Sequence, residues 1–166
     1  MQTMKPDGRG AVLDLSIITR EILVGTQISG DEDLDAIRKM GVAGLLSLQD
    51  EDDLRRAGLR WDLLQKAGAS RDIDMRRVPI IDFDPGDLVA KLDRCVNELD
   101  DLLSESPRVY VHCTAGINRS AGVVLGYLVL RRRMSVDAAF KLLQSRRPQV
   151  NPYRSLIAHL MERQAG

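Results

Sequence analysis

The chain has 166 residues, 44% of them hydrophobic and 29% charged, with 24 basic side chains balancing 24 acidic ones. That is the make-up of one globular domain with a sizeable core, and the neutral balance excludes a general nucleic-acid binder, which carries a basic excess. No apolar run approaches the ~20 residues of a membrane span, and two cysteines with two histidines make neither a disulfide scaffold nor a metal-ligand spacing.

The opening MQTMKPDGRG holds no apolar secretory segment. Residues 1–12 are read as a flexible terminus ahead of a single domain over 13–166, and a cytoplasmic, monomeric protein with reduced thiols is expected. LDLSIITREILVGT (13–26) alternates as a two-strand hairpin. SGDEDLDAIRKMG follows as a helix, with caps and acids from Ser29 to Asp33 and a stop at Gly41. VAGLLSLQ (42–49) has the short apolar run of a buried strand. An acidic loop, DEDD, then leads to a helix near 59–69, and DIDMRRVPI (72–80) is a strand ended by its proline. Asp87 is placed to cap a long amphipathic helix whose Leu88, Leu92, Val96, Leu99 and Leu103 share a face. RVYVHC enters the core as a strand, and RSAGVVLGYLVLRRR is a buried helix. Ser135 opens another helix, and the pair Asn151-Pro152 starts the last. Strands alternating with helices in one domain give an α/β architecture.

The chemistry concentrates in VYVHCTAGINRSAG, residues 109–122. A strand ending at His112 and a helix starting near Arg119 leave Cys113–Asn118 as a tight loop at the carboxyl end of a strand, where α/β sheets bind ligands. Successive N–H groups of Thr114, Ala115, Gly116, Ile117 and Asn118, with the helix N-terminus behind them, suit an oxyanion of phosphate size. Gly116 allows a backbone closed to other residues, and Asn118 is expected to tolerate a left-handed conformation. The same positive environment favours the thiolate of Cys113, the nucleophilic form. Arg119 offers a rigid fork for two phosphate oxygens, and Ser120 a hydroxyl for the sulfur. Such a set asks for no metal or other cofactor. A leaving alkoxide also needs a proton, and IIDFDPGD offers Asp82, Asp84 and Asp87. The residues alone leave these three open.

His112-Cys113, five residues, then Arg119-Ser120 resembles the signature of the cysteine-dependent protein tyrosine phosphatases, and the modest length looks like their dual-specificity branch. The resemblance covers roughly residues 17–160. It implies a central twisted mixed sheet flanked by helices, phosphate held by loop and arginine, and an upstream aspartate as the acid. The 31-residue interval from Asp82 to Cys113 is close to that family's spacing, which makes Asp82 the choice for general acid, with Asp84 in reserve.

A finer resemblance joins ILVGTQ (22–27), LLSLQDEDDL (45–54), MRRVPIIDFDP (75–85) and HCTAGINRSAG (112–122) to the glucan phosphatases, the starch-excess type of plants and, more distantly, laforin. It implies a phosphorylated glucan as substrate, Asp82 as the acid and Phe83 as a sugar contact. Asn118 stands where that family has a second glycine, and Arg56-Ala57 where the plant enzymes carry aromatics, with Trp61 nearby. A phosphoprotein is the alternative substrate, an inositol or phospholipid phosphate a third, and a silent phosphate-binding module the alternative of another class. Arg131–Arg133 and Arg146–Arg147 are read as solvated residues at helix ends, Cys95 as a packed helix cysteine, and Trp61 and His159 as structural.

Overall fold

The computed structural model describes residues 13–166; the terminus expected to be flexible lies outside the described residues. Strand β1 (Leu15–Ile17) pairs antiparallel with β2 (Ile22–Gly25), the expected hairpin. Helix α1 (Asp31–Lys39), strand β3 (Gly44–Ser47), helices α2 (Glu51–Ala57) and α3 (Trp61–Ala69), and strand β4 (Asp74–Arg77) follow. Next come the long α4 (Pro85–Glu105), strand β5 (Val109–His112), and helices α5 (Arg119–Leu130), α6 (Val136–Arg146) and α7 (Arg154–Ala165). The sheet order is β1-β2-β5-β3-β4, with every pair after the hairpin parallel.

Period-two alternation divides the strands between two cores. Ile22, Val24, Leu46, Val109 and Val111 face a large core shared with α4 to α7. Leu23, Leu45, Met75 and Tyr110 face a smaller one closed by α1 and α3. A sheet buried on both faces explains the near-continuous apolar runs. Gly122 and Gly126 bring α5 against α4: a Cβ at either would lie within 3 Å of the Leu88 or Leu92 side chain. Among the described residues no helix is long and apolar enough to cross a membrane.

Four local expectations are corrected. DEDD is not a loop: Asp50 caps α2, accepting from Asp53 N while Asp53 accepts from Asp50 N, a reciprocal capping box. The cap of α4 is Asp84, which accepts from Asp87 N at 3.0 Å; Asp87 instead accepts from Ile81 N at 2.8 Å. Gly30, not Ser29, caps α1. The last helix is capped at Tyr153, two residues beyond Asn151, because Asn151 N bonds Ile117 O (2.9 Å) instead of starting the helix.

β5 lies between β2 and β3, with His112 in register with Gly25 on one side and Ser47 on the other. The loops leaving β2, β3 and β4 therefore surround the loop that leaves β5.

Candidate active site

The β5–α5 loop turns its carbonyls outward. Cys113 O accepts from His112 Nδ1 (2.9 Å), Thr114 O from Gln27 N (3.1 Å), and Ile117 O from Asn151 N. Gly116 O and Ala115 O accept from the Arg147 guanidinium at 2.8 and 3.3 Å. Asn118 O accepts from Gly122 N as α5 begins. With the carbonyls tied back, the amides face the other way. Gly116 N donates to Cys113 Sγ at 3.3 Å, and among the described residues no acceptor closes on the N–H of Thr114, Ala115, Ile117, Asn118 or Arg119. These groups form a nest for an anion.

The turn depends on glycine. Gly116 has φ +67°, and a Cβ there would sit 2.5 Å from Gly25 O. Asn118, expected to tolerate the left-handed region, has φ −105° and no side-chain capping bond; Gly116 already supplies the reversal.

Cys113 is 3% exposed, its sulfur 3.3 Å from Ser120 Oγ. Arg119, 1% exposed, hydrogen-bonds the protein through one nitrogen: Nη1 donates to Asp53 Oδ2 (2.6 Å) and Ile80 O (2.9 Å). Its Nε is buried without a hydrogen-bond partner. The Nε–Nη2 edge is thus the part of the fork available to two oxygens. Burial alone would raise the Asp53 carboxyl, but Arg119 and the Asp50 amide outweigh it and hold the group below its usual range.

Of the three aspartates, Asp84 and Asp87 serve the start of α4, whereas Asp82 Oδ2 lies 3.4 Å from Arg119 Nη2. Asp82 Oδ1 accepts from Phe83 N at 3.0 Å. Phe83 is 78% exposed at φ +61°, a costly backbone for a bulky residue of the kind found at ligand-binding loops. Trp61 packs on the smaller core with the Arg77 guanidinium 5.7 Å from its ring centroid, and so is not a free platform.

His112 lies fully inside the protein, and burial pushes its imidazole down to about 4, with Arg119 adding to the effect. It is neutral near pH 7, and since a carbonyl can only accept, Nδ1 carries the proton. Cys95 is buried in the large core and burial pushes its thiol up to about 12, the state of a packing residue. Among the described residues no group of three or more His, Cys, Asp or Glu is placed to hold a metal ion.

Several site residues had no signal in the sequence. Arg147, read as solvated, is fully buried, and besides the loop carbonyls it holds Asp14 Oδ1 (3.0 Å) and Ser16 Oγ (3.1 Å). Asp53 was one acid in an acidic run. Gln49, 1% exposed, joins Gln27 Oε1 (2.8 Å) and Thr114 Oγ1 (3.2 Å) beneath the loop.

Residues 37–165 match the family described as the dual specificity phosphatase catalytic domain. The chain belongs to this family. Its sequence is 31% identical over 154 residues, 90% of the chain, to the amyloplastic phosphoglucan phosphatase DSP4 of Castanea sativa, of which it spans 41%. Over 128 residues, 77% of the chain, it is 33% identical to the chloroplastic phosphoglucan phosphatase LSF1 of Arabidopsis thaliana, of which it spans 22%. The chain thus spans less than half the length of these curated relatives. Among solved structures it matches PTPMT1, crystallised in complex with PI(5)P, at a TM-score of 0.73 and 22% identity over 87% of this chain and 90% of that one. This likeness is one of fold.

Proposed function

We propose that this domain hydrolyses phosphomonoesters through a cysteinyl-phosphate intermediate, and that its substrate is a phosphorylated glucan. The observation that carries the chemistry is the loop itself: carbonyls tied outward, the Gly116 N–H on the Cys113 sulfur with its neighbours' amides free of acceptors among the described residues, and the buried Arg119 Nε without a partner. Three phosphoryl oxygens fit the amides and the Nε–Nη2 edge, donors already in place before charge develops.

In the first step Cys113 Sγ attacks phosphorus, the P–O bond to the substrate breaks, and Asp82 gives its proton to the leaving oxygen. In the second, water attacks phosphorus as the Asp82 carboxylate takes its proton. The P–S bond breaks, and the departing thiolate receives a hydrogen bond from Ser120, 3.3 Å away. His112 stays neutral and holds the Cys113 carbonyl.

Two observations support the glucan. Phe83 presents its ring to solvent beside Asp82, and apolar sugar faces pack on such rings. The similarity to phosphoglucan phosphatases runs along 90% of the chain in one case and 77% in the other.

The test is phosphate release from phosphorylated amylopectin and glycogen beside an aryl phosphate and a phosphopeptide panel, with Cys113→Ser as the blank. The proposal expects release from the glucans to exceed that from the peptides. Aryl-phosphate turnover with no glucan release keeps the chemistry and transfers the substrate to phosphoproteins. A wild-type chain silent on every substrate would make the loop a phosphate-binding module only.

A further inference from the structure

Tyr153 stands outside the residues used so far. It lies between the Pro152 that follows the loop-bound Asn151 and the first turn of α7, with φ −61° and ψ 137°. Its ring packs against the large core. Its hydroxyl oxygen is buried and has no hydrogen-bond partner, one of two such side-chain atoms among the described residues; the other is Arg119 Nε. A buried phenol O–H nearly always finds a partner, because leaving one unmade is costly. The oxygen lies beside Phe83 N–H, but that donor is directed to Asp82 Oδ1 at 3.0 Å. Asp82, Arg119 and Cys113 are its charged surroundings.

The general acid leans on a partner that the substrate takes away. Asp82 Oδ2 faces Arg119 Nη2 at 3.4 Å, a nitrogen on the edge that the phosphoryl group also uses. Substrate phosphate claims the Nε–Nη2 edge and removes that partner. Asp82 then needs another donor to fix its orientation toward the leaving oxygen. We propose that Tyr153 is a positioning residue for the acid: its hydroxyl donates to the Asp82 carboxyl once the phosphoryl group occupies Arg119. The phenol keeps its own proton throughout; the proton transferred to the leaving oxygen comes from Asp82 alone. Burial and the Asp82 charge push the Tyr153 phenol up, which keeps it a donor.

The inference rests on the phosphatase reading, and the experiment separates the two. Wild type and Tyr153→Phe are compared by kcat/KM on phenyl phosphate, whose phenolate leaves poorly, and on p-nitrophenyl phosphate, whose leaving group needs little help from an acid. Loss of one hydrogen bond that acts through the acid should cost about tenfold on the first and less than about twofold on the second. Because both substrates are read on one preparation, their ratio is unaffected by any unfolded fraction. In an Asp82→Asn background the substitution should cost nothing further on either substrate. Equal losses on the two esters, no loss on either, or a tenfold loss that persists beside Asp82→Asn would each overturn the role. A wild type inactive on both esters would overturn the reading of the site, and this inference with it.

Discussion

The two loops that meet over Cys113 are built in opposite ways. The β5–α5 loop is tied down from every side: six consecutive carbonyls, Cys113 to Asn118, accept bonds from His112, Gln27, Arg147, Asn151 and Gly122. The loop after β4 exposes Ile81 and Phe83, places Phe83 at φ +61°, and holds its own turn with the Asp82 and Asp87 carboxylates. A cradle for charge works by being preorganised, since donors that must reorient lose their advantage. An acid that first gives and then takes a proton, the role proposed for Asp82, tolerates a lighter tether. On the proposed function, rigidity lies where the phosphoryl group would sit and freedom where substrates would differ.

Removing the tether on the cradle should have the largest effect. Arg147→Met leaves two carbonyls without donors and takes the cation from Asp14, so a stability loss of about 3 kcal/mol is expected, measured by urea unfolding. The displaced amides should also lower kcat/KM on an aryl phosphate about 100-fold. If activity survives while stability falls, the clamp serves the fold alone and the contrast between the loops is weaker.

On the other loop, Asp82→Asn should lower kcat/KM by about 100-fold for an ester with a poor leaving group, with urea unfolding unchanged. A substantial stability loss here would mean that the acid loop is as much a part of the frame as the cradle.

Beneath the cradle, His112 ties stability to pH. Its imidazole takes a proton near 6.5 when unfolded and only near 4 when folded, so between those values the unfolded chain binds more protons. Its contribution is complete above about pH 6.5 and declines as the pH falls toward 4, by about 3 kcal/mol in all. Unfolding free energies at pH 7 and 4.5 should differ more for wild type than for His112→Gln, and equal differences would refute this.

The smallest effect is expected at Phe83→Gly. Glycine accepts φ +61° without strain but is freer when unfolded, so stability should change by about 1 kcal/mol or less. Aryl-phosphate turnover should hold while glucan release falls. Equal losses on the two substrates would place Phe83 in the chemistry and not in substrate choice.

The fold and the central site were legible for one reason: both rest on local patterns. Apolar runs and alternation placed the five strands, the fourth read three residues too far at its end, and the spacing from His112 to Ser120 marks a strand, a glycine turn and a helix start whatever surrounds them. Where several residues of one type stand together, pattern was not enough. Asp82, Asp84 and Asp87 differ only in what the chain folds around them, and the cap assigned to Asp87 belongs to Asp84.

By itself the sequence determined the α/β architecture, the loop, its cysteine and its arginine, because these follow from residue type at close spacing. The tertiary structure alone decided which charges are buried. Asp53 lies 66 residues from Arg119 in sequence and Arg147 lies 133 from Asp14, and nothing in an acidic run or an arginine pair distinguishes a solvated charge from one enclosed by distant partners. Burial depends on where other segments come to lie, and so the groups that hold the site in place, Asp53 and Arg147 among them, became visible only in three dimensions.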